Sequence, residues 1–286
     1  MRFLALVLPS LTAIAAGLVG GLVQRRLRPQ VAAPVLAGLA VVASTGVFVA
    51  LGLVAFGWAG WCRALYSHDQ VPLWLGLPAM AAMPVLLFAG VRASRRWNAS
   101  IRNRRNPGHE LEVVDTDKPV AYAVPGKPGH IVVSVGMLTR LRPDERLVLL
   151  AHERSHLVRR HDRYLWMVEI ASAVVPVLRL MRPQIRFATE RWADEDAAQA
   201  VGDRRLVARA ISRAALAQAD HVPGPALALV GFGVPARVDA LLSVEPSRRL
   251  ADLALATTIL TAVVALAGSA MQFERLWIFL RHICTP

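Results

Sequence analysis

Cysteine is nearly absent from this 286-residue chain, which has only Cys62 and Cys284. Two thiols exclude a disulfide-framed secreted scaffold and a zinc-finger-type site. Both sit beside apolar runs that read as membrane edges. They can face the same side of a membrane, so a disulfide stays open, although two isolated apolar cysteines are the simpler reading. Charge is scarce too, at 19% of residues, and negative charge scarcer: 20 Asp+Glu stand against 33 Lys+Arg, a formal net charge of +13. In a soluble domain that excess points to nucleic acid. Here the arginines cluster at the ends of apolar runs, where anionic headgroups and the positive-inside bias account for them. No DNA- or RNA-reading motif accompanies them, so direct nucleic-acid binding is not expected. Internal repeats and low-complexity segments are also missing.

Apolar residues are abundant, at 55% of the chain, with a mean hydropathy of +0.43. Such values predict a membrane protein. Four segments can supply the roughly 20 residues that a bilayer crossing needs, at about 3–23, 31–61, 71–91 and 253–271. The first resembles a signal peptide, but its apolar run is too long and its basic charge follows rather than precedes, so a retained span is expected. Trp58, Trp61 and Trp74 flank the second and third spans as an aromatic belt would. Arg25, Arg26 and Arg28 fill the first connection, and Arg92, Arg95, Arg96, Arg102, Arg104 and Arg105 follow the third span. The connection between spans two and three carries only Arg63 and Asp69 as formal charges. The positive-inside rule then predicts a multi-pass cell-membrane protein with both termini extracytoplasmic and the polar central part in the cytoplasm.

The expected organisation is three transmembrane helices in 1–91, a cytoplasmic domain in 92–251, and a fourth transmembrane helix with a short tail in 252–286. Within the domain, 110–114 and 130–135 read as strands around the Pro/Gly-rich stretch AVPGKPGH. Residues 141–160 read as a helix, with Pro143 in its first turn and Asp144 and Glu145 at the positive end of its dipole. The apolar stretch 164–181 is interrupted by Pro176 and reads as a buried or membrane-associated helix rather than a fifth span. A further helix begins near Phe187 and carries Glu190 through Ala200.

The polar region contains AHERSHL, with His152, Glu153 and His156 in the HExxH spacing. Two imidazoles four residues apart project from one helical face and can ligate one zinc ion, leaving the intervening Glu as general base toward a water. The downstream ERWAD offers Glu190 and Asp194, again four apart on one face. Glu190 as third ligand leaves one coordination position open, as catalytic zinc requires. Asp194 is then placed to accept the free ring N–H of a ligand histidine. The alternative for both is an exposed acidic helix face shared with Glu195 and Asp196. Asp162 is a rival third ligand, but zincins that use that position need a glycine where this chain has Arg159; His161 has the wrong spacing. The chemistry predicted is metal-assisted amide hydrolysis, with Glu153 passing the water proton to the leaving amine. The strand with Val132, Val133 and Ser134 is a candidate edge for an extended substrate, or else a buried strand.

AYAVPG at 121–126, IVVSVGMLTRL at 131–141, PDERLVLLAHERSHLVRRHD at 143–162 and ERWAD at 190–194 resemble the M56 family of membrane metallopeptidases. That is the family of the antibiotic-sensing BlaR1 and MecR1 proteins, related to the M48 family of HtpX and the CAAX prenyl protease. The resemblance covers roughly residues 92–250. It implies a mainly α, polytopic membrane protein with an inserted zincin-like (gluzincin) α+β domain. It also implies zinc on His152, His156 and Glu190, catalysis by Glu153, and a weaker site-proximal match at Arg237, where a helix-surface arginine is the alternative. Unlike BlaR1 and MecR1, the chain ends soon after the fourth span, so a penicillin-binding sensor domain is not expected. The implied partners are a protein or peptide substrate, such as a BlaI-like winged-helix repressor, and the lipid bilayer; a homodimer is compatible with the sequence. Two other readings compete with this signalling protease: an HtpX-like quality-control protease, and a non-catalytic transducer with a vestigial metal site.

Overall fold

The computed structural model describes residues 27–58, 73–102, 108–219 and 233–243, with isolated positions elsewhere. The expected first and fourth spans, apart from those isolated positions, and both cysteines lie outside the described residues.

Among the described segments two long helices come first, α1 (Pro29–Trp58) and α2 (Leu73–Arg102). At 30 residues each, they are about 45 Å long. The stretches Pro29–Gly52 and Gly76–Ile101 are long and apolar enough to cross a membrane. α2 runs past the expected end of the third span at 91 and keeps its helical form through Arg92, Arg95 and Arg96. Gly52 of α1 lies beside Met83 of α2, as an antiparallel hairpin requires.

A small sheet and six further helices follow. Strands β1 (Leu111–Val114), β2 (Ala121–Val124) and β3 (His130–Ser134) are ordered β1-β3-β2, with β1 parallel and β2 antiparallel to β3. The sequence reading gave no strand between 114 and 130 and began its turn at Ala123, inside β2. Its four residues are too few to announce a strand by alternation, and only pairing with β3 makes them one. α3 (Val135–Arg140) leaves β3 directly, and Gly136 sits there because a Cβ would overlap the Asp117 carbonyl. α4 (Pro143–Val158) carries the HExxH, α5 (His161–Val174) ends at a 3-10 turn (Pro176–Met181), and α6 (Arg182–Val201) carries ERWAD. α7 (Arg204–Ala219) and α8 (Val234–Leu242) complete the described part.

α1 does not stand apart from the polar region. Its inward stripe of Leu36, Ala37, Leu39, Ala40 and Ala43 packs on Val168 and Ala171 of α5, on Leu178 and Met181 of the turn, and on Ile185 of α6. Small residues on α1 let these helices approach closely. α5 has 14 residues, about 21 Å, which is short of the ~30 Å hydrocarbon core. It packs against both α1 and α2. A second core joins α4, α6, α7 and α8 through Val148, Ala197, Val207, Ile211 and Leu241. The HExxH helix therefore lies between the sheet and the helical layer.

Candidate metal centre and active site

α4 starts as its sequence dictates. Pro143 occupies the first turn, and buried Glu145 accepts from the Arg142 N–H at 2.9 Å and from Arg213 Nη1 at 2.8 Å. Two residues past the end of α4, the left-handed backbone of Arg160 (φ 54) reverses the chain. The sequence reading looked for a glycine at Arg159 to make such a turn; a non-glycine residue one position later makes it, at a cost of about 1–2 kcal/mol.

His152, Glu153 and His156 share the α4 face turned toward α6, where Glu190 meets them. His152 Nε2 is 3.2 Å from His156 Nε2 and 3.5 Å from Glu190 Oε2, and His156 Nε2 is 3.7 Å from Glu190 Oε1. Donors about 2.0–2.1 Å from a shared ion at tetrahedral angles stand roughly 3.4 Å apart. The two imidazoles and one or other Glu190 oxygen stand near that spacing, and among the described residues these three form the group whose ligand atoms lie close enough together, within 4.8 Å, to hold a metal ion. Asp162 instead lies 3.6 Å from Arg160.

Asp194, one turn after Glu190, is buried and lies 3.0 Å from His152 Nδ1. The approach is bent, so the ring N–H is not aimed straight at the oxygen. Arg237, 43 residues further on, donates through Nε and Nη2 to Asp194 at 2.7 and 2.6 Å, and its Nη1 is 3.0 Å from Glu190 Oε2. One guanidinium fork thus fixes both carboxylates. Gly233 caps α8 with φ 81 against the Phe187 ring, which sets the helix that delivers Arg237. Glu195 and Asp196 do not extend this face. Glu195 pairs with Arg204, and Asp196 accepts from Ser155 and Arg159, a second tie between α4 and α6.

His161 escaped the sequence reading as anything but a mis-spaced ligand. The turn at Arg160 returns it to the site, with its Nδ1 2.9 Å from His156 Nδ1. Its ring packs 5.0 Å from Trp192, which belongs to a buried cluster with Leu27, just before α1, and Ala33, within it. Helix periodicity carries no signal for this contact, because the helix is interrupted between the two histidines.

The candidate substrate edge needs correction. Val132, Val133 and Ser134 lie on β3, which is the central strand, paired on both sides and buried throughout. Pairing with β2 consumes the edge that the reading assigned to them. The strand beside the catalytic helix is β2, and its Ala123 N–H donates to the Glu153 carboxylate.

Electrostatics separates these groups. Burial pushes the Glu153 carboxyl up to about 7, against the pull of the His152 cation. Burial alone would lower His152, but Asp194 and Glu190 outweigh it and raise the ring to about 10. His156 is lowered to about 4, chiefly by burial. Glu190 and Asp194 stay well ionised: burial opposes this, and Arg237 overrides it. Without metal, one proton therefore sits on His152 between two carboxylates, at the place a cation would take.

Residues 92–239, which include every group above, match peptidase family M48. This chain belongs to peptidase family M48. A protease HtpX homologue from Acidiphilium cryptum (strain JF-5) is 32% identical over 144 residues, 47% of this chain and 50% of that protein. The chain thus spans about half the length of the curated relative it matches. No solved structure matches it. M48 is the relative of the M56 family that the motifs resemble, and membership makes the chain a metallopeptidase by family. Two of its helices are long and apolar enough to cross a bilayer.

Proposed function

We propose that this chain is a membrane-associated zinc endopeptidase of the HExxH…E gluzincin type. In this reading His152, His156 and Glu190 hold the ion and Glu153 is the general base. The observation that carries it is the close spacing of the three donors beside a buried carboxyl poised near neutrality. A zinc ion held by His152, His156 and Glu190 would supply Lewis acidity toward a scissile carbonyl and would lower the cost of removing a proton from water. Glu153, tuned to about 7, takes that proton and returns it to the leaving amine. Asp194 holds the His152 ring, and Arg237 holds Asp194 and Glu190, so the ligand carboxylate keeps its charge and direction. β2, as the edge strand beside Glu153, pairs with an extended substrate by main-chain hydrogen bonds. The active site faces the cytoplasm, since Arg28, just before α1, and the arginines near the C-terminal end of α2 border the catalytic region, and positive-inside bias places such charges there.

The preferred substrate class is unfolded or damaged membrane protein, as in HtpX-like quality control; membership of M48 and the HtpX-homologue similarity support it. The narrower reading is regulated cleavage of a winged-helix repressor, supported by the M56-like motifs on α4 and α6. Purified protein with stoichiometric zinc should cleave an unfolded protein, and Glu153→Gln should keep the zinc while losing cleavage by about 100- to 10,000-fold. Folded protein that takes up no zinc would overturn the assignment and favour a vestigial site. Cleavage at many sites in many unfolded proteins supports quality control; a single cut in one repressor supports signalling.

A further inference from the structure

The catalytic region holds a polar cleft whose lining includes none of His152, Glu153, His156 and Glu190. It has a volume of about 300 Å³ and lies where three segments meet: the C-terminal end of α2, the β2–β3 turn and the α4–α5 turn. Trp97, Asn98 and Ile101 come from α2, Lys127 from the first turn, Arg160 from the second, and Arg163 from the start of α5. Only Asp162 offsets these three cations, and it contacts Arg160 at 3.6 Å. Among the described residues, Lys127 and Arg163 have no ion-pair partner. Trp166 of α5 forms a further wall, and its indole N–H is buried without a hydrogen-bond partner. Buried indole N–H groups usually find an acceptor, so this wall is one donor short of complete.

We propose that this cleft binds the anionic phosphate headgroup of a phospholipid, in continuity with the apolar surface of α2. The inference rests on the reading that α2 crosses the membrane. A hydrocarbon core of ~30 Å takes about 20 helical residues. The apolar stretch of α2 begins at Gly76, and the first arginines, Arg92, Arg95 and Arg96, mark the edge of that core. Trp97 to Ile101 follow directly, on the headgroup side of those arginines. Leu87 and Val91 are exposed on the stripe of α2 that continues to Asn98 and Ile101. An acyl chain lying on that stripe delivers its phosphate to Lys127, Arg160 and Arg163. Phosphate oxygens suit these donors, whereas a zwitterionic headgroup brings its own cation to them. The occupant bridges the turn that follows β2, the strand whose Ala123 N–H holds Glu153, and the turn that carries His161 to His156. A bound lipid thereby ties both sides of the active site to the membrane surface.

The test uses the full chain in three arms. Flotation with vesicles of phosphatidylcholine, alone or mixed with phosphatidylglycerol, reads membrane association. Native mass spectrometry of detergent-solubilised protein reads retained phosphatidylglycerol against phosphatidylcholine. Inorganic phosphate is added as competitor. The expected result is flotation with both vesicles and selective retention of phosphatidylglycerol. That retention should fall about tenfold in a Lys127→Glu/Arg163→Glu double variant, which keeps its zinc content and flotation. A chain that floats but retains both lipids equally, or a double variant that retains phosphatidylglycerol unchanged, overturns the lipid site alone. Displacement of the lipid by millimolar phosphate reassigns the cleft to free phosphate and overturns it as well. Failure to float with either vesicle instead removes the membrane reading on which the inference stands.

Discussion

Arg237 offers the sharpest test of how this centre is held together. Its guanidinium is 11% exposed and makes three contacts of 2.6–3.0 Å with Asp194 and Glu190. Arg237→Met keeps much of the side-chain volume and removes the charge. Asp194, with 2% of its side chain exposed, is then left with only the bent contact to His152. Removing one partner from a buried ion pair costs about 3–5 kcal/mol, because the other charge stays buried and uncompensated. For a domain of this size that is roughly 6–20 °C in Tm. The loss should be largest with chelator present, since a divalent cation beside Glu190 restores part of the missing positive charge. Thermal unfolding in detergent, with chelator and with zinc, gives the comparison. Arg237→Lys should fall between wild type and Arg237→Met, because one ammonium cannot fork across both carboxylates. Equal Tm losses with and without metal, or no loss at all, would refute the account.

Zinc binding should be linked to protons. His152, raised to about 10, must lose its proton to become a ligand, while His156, lowered to about 4, is already neutral. Between about pH 7 and 9 the apparent zinc affinity should therefore rise about tenfold per pH unit, with about one proton released per ion. Calorimetry in buffers of different ionisation enthalpy measures it, and a flat affinity across that range contradicts the assigned protonation. Gly136→Ala should destabilise the fold by about 1–3 kcal/mol, because the added methyl overlaps the Asp117 carbonyl and must push the β1–β2 connection away. Thermal unfolding reads this loss, while the zinc content of the folded fraction stays unchanged.

Much of the candidate site was legible in the sequence because its first half is local. An i, i+4 pair of histidines on a helix and an i, i+4 pair of carboxylates on another follow from the 3.6-residue period alone. Pro143, Asp144 and Glu145 announce the start of α4 by capping and dipole chemistry, and α1 and α2 announce themselves by length and apolar content. The central position of β3 was not legible, because β2 is too short for its alternation to register and becomes a strand only on pairing.

The amino-acid sequence by itself determined which faces carry nitrogen and oxygen donors, and that long apolar helices accompany them. Tertiary structure alone decided that Glu190 stands about 3.5 Å from both imidazoles and that Arg237 clamps two carboxylates from 43 residues away. It also decided that a left-handed Arg160 returns His161 to His156 and that β2 lies beside Glu153. Periodicity reports how a residue is oriented about its own element. It holds no information on which elements meet, and that depends on how the apolar faces of α1, α4, α5 and α6 are buried against one another.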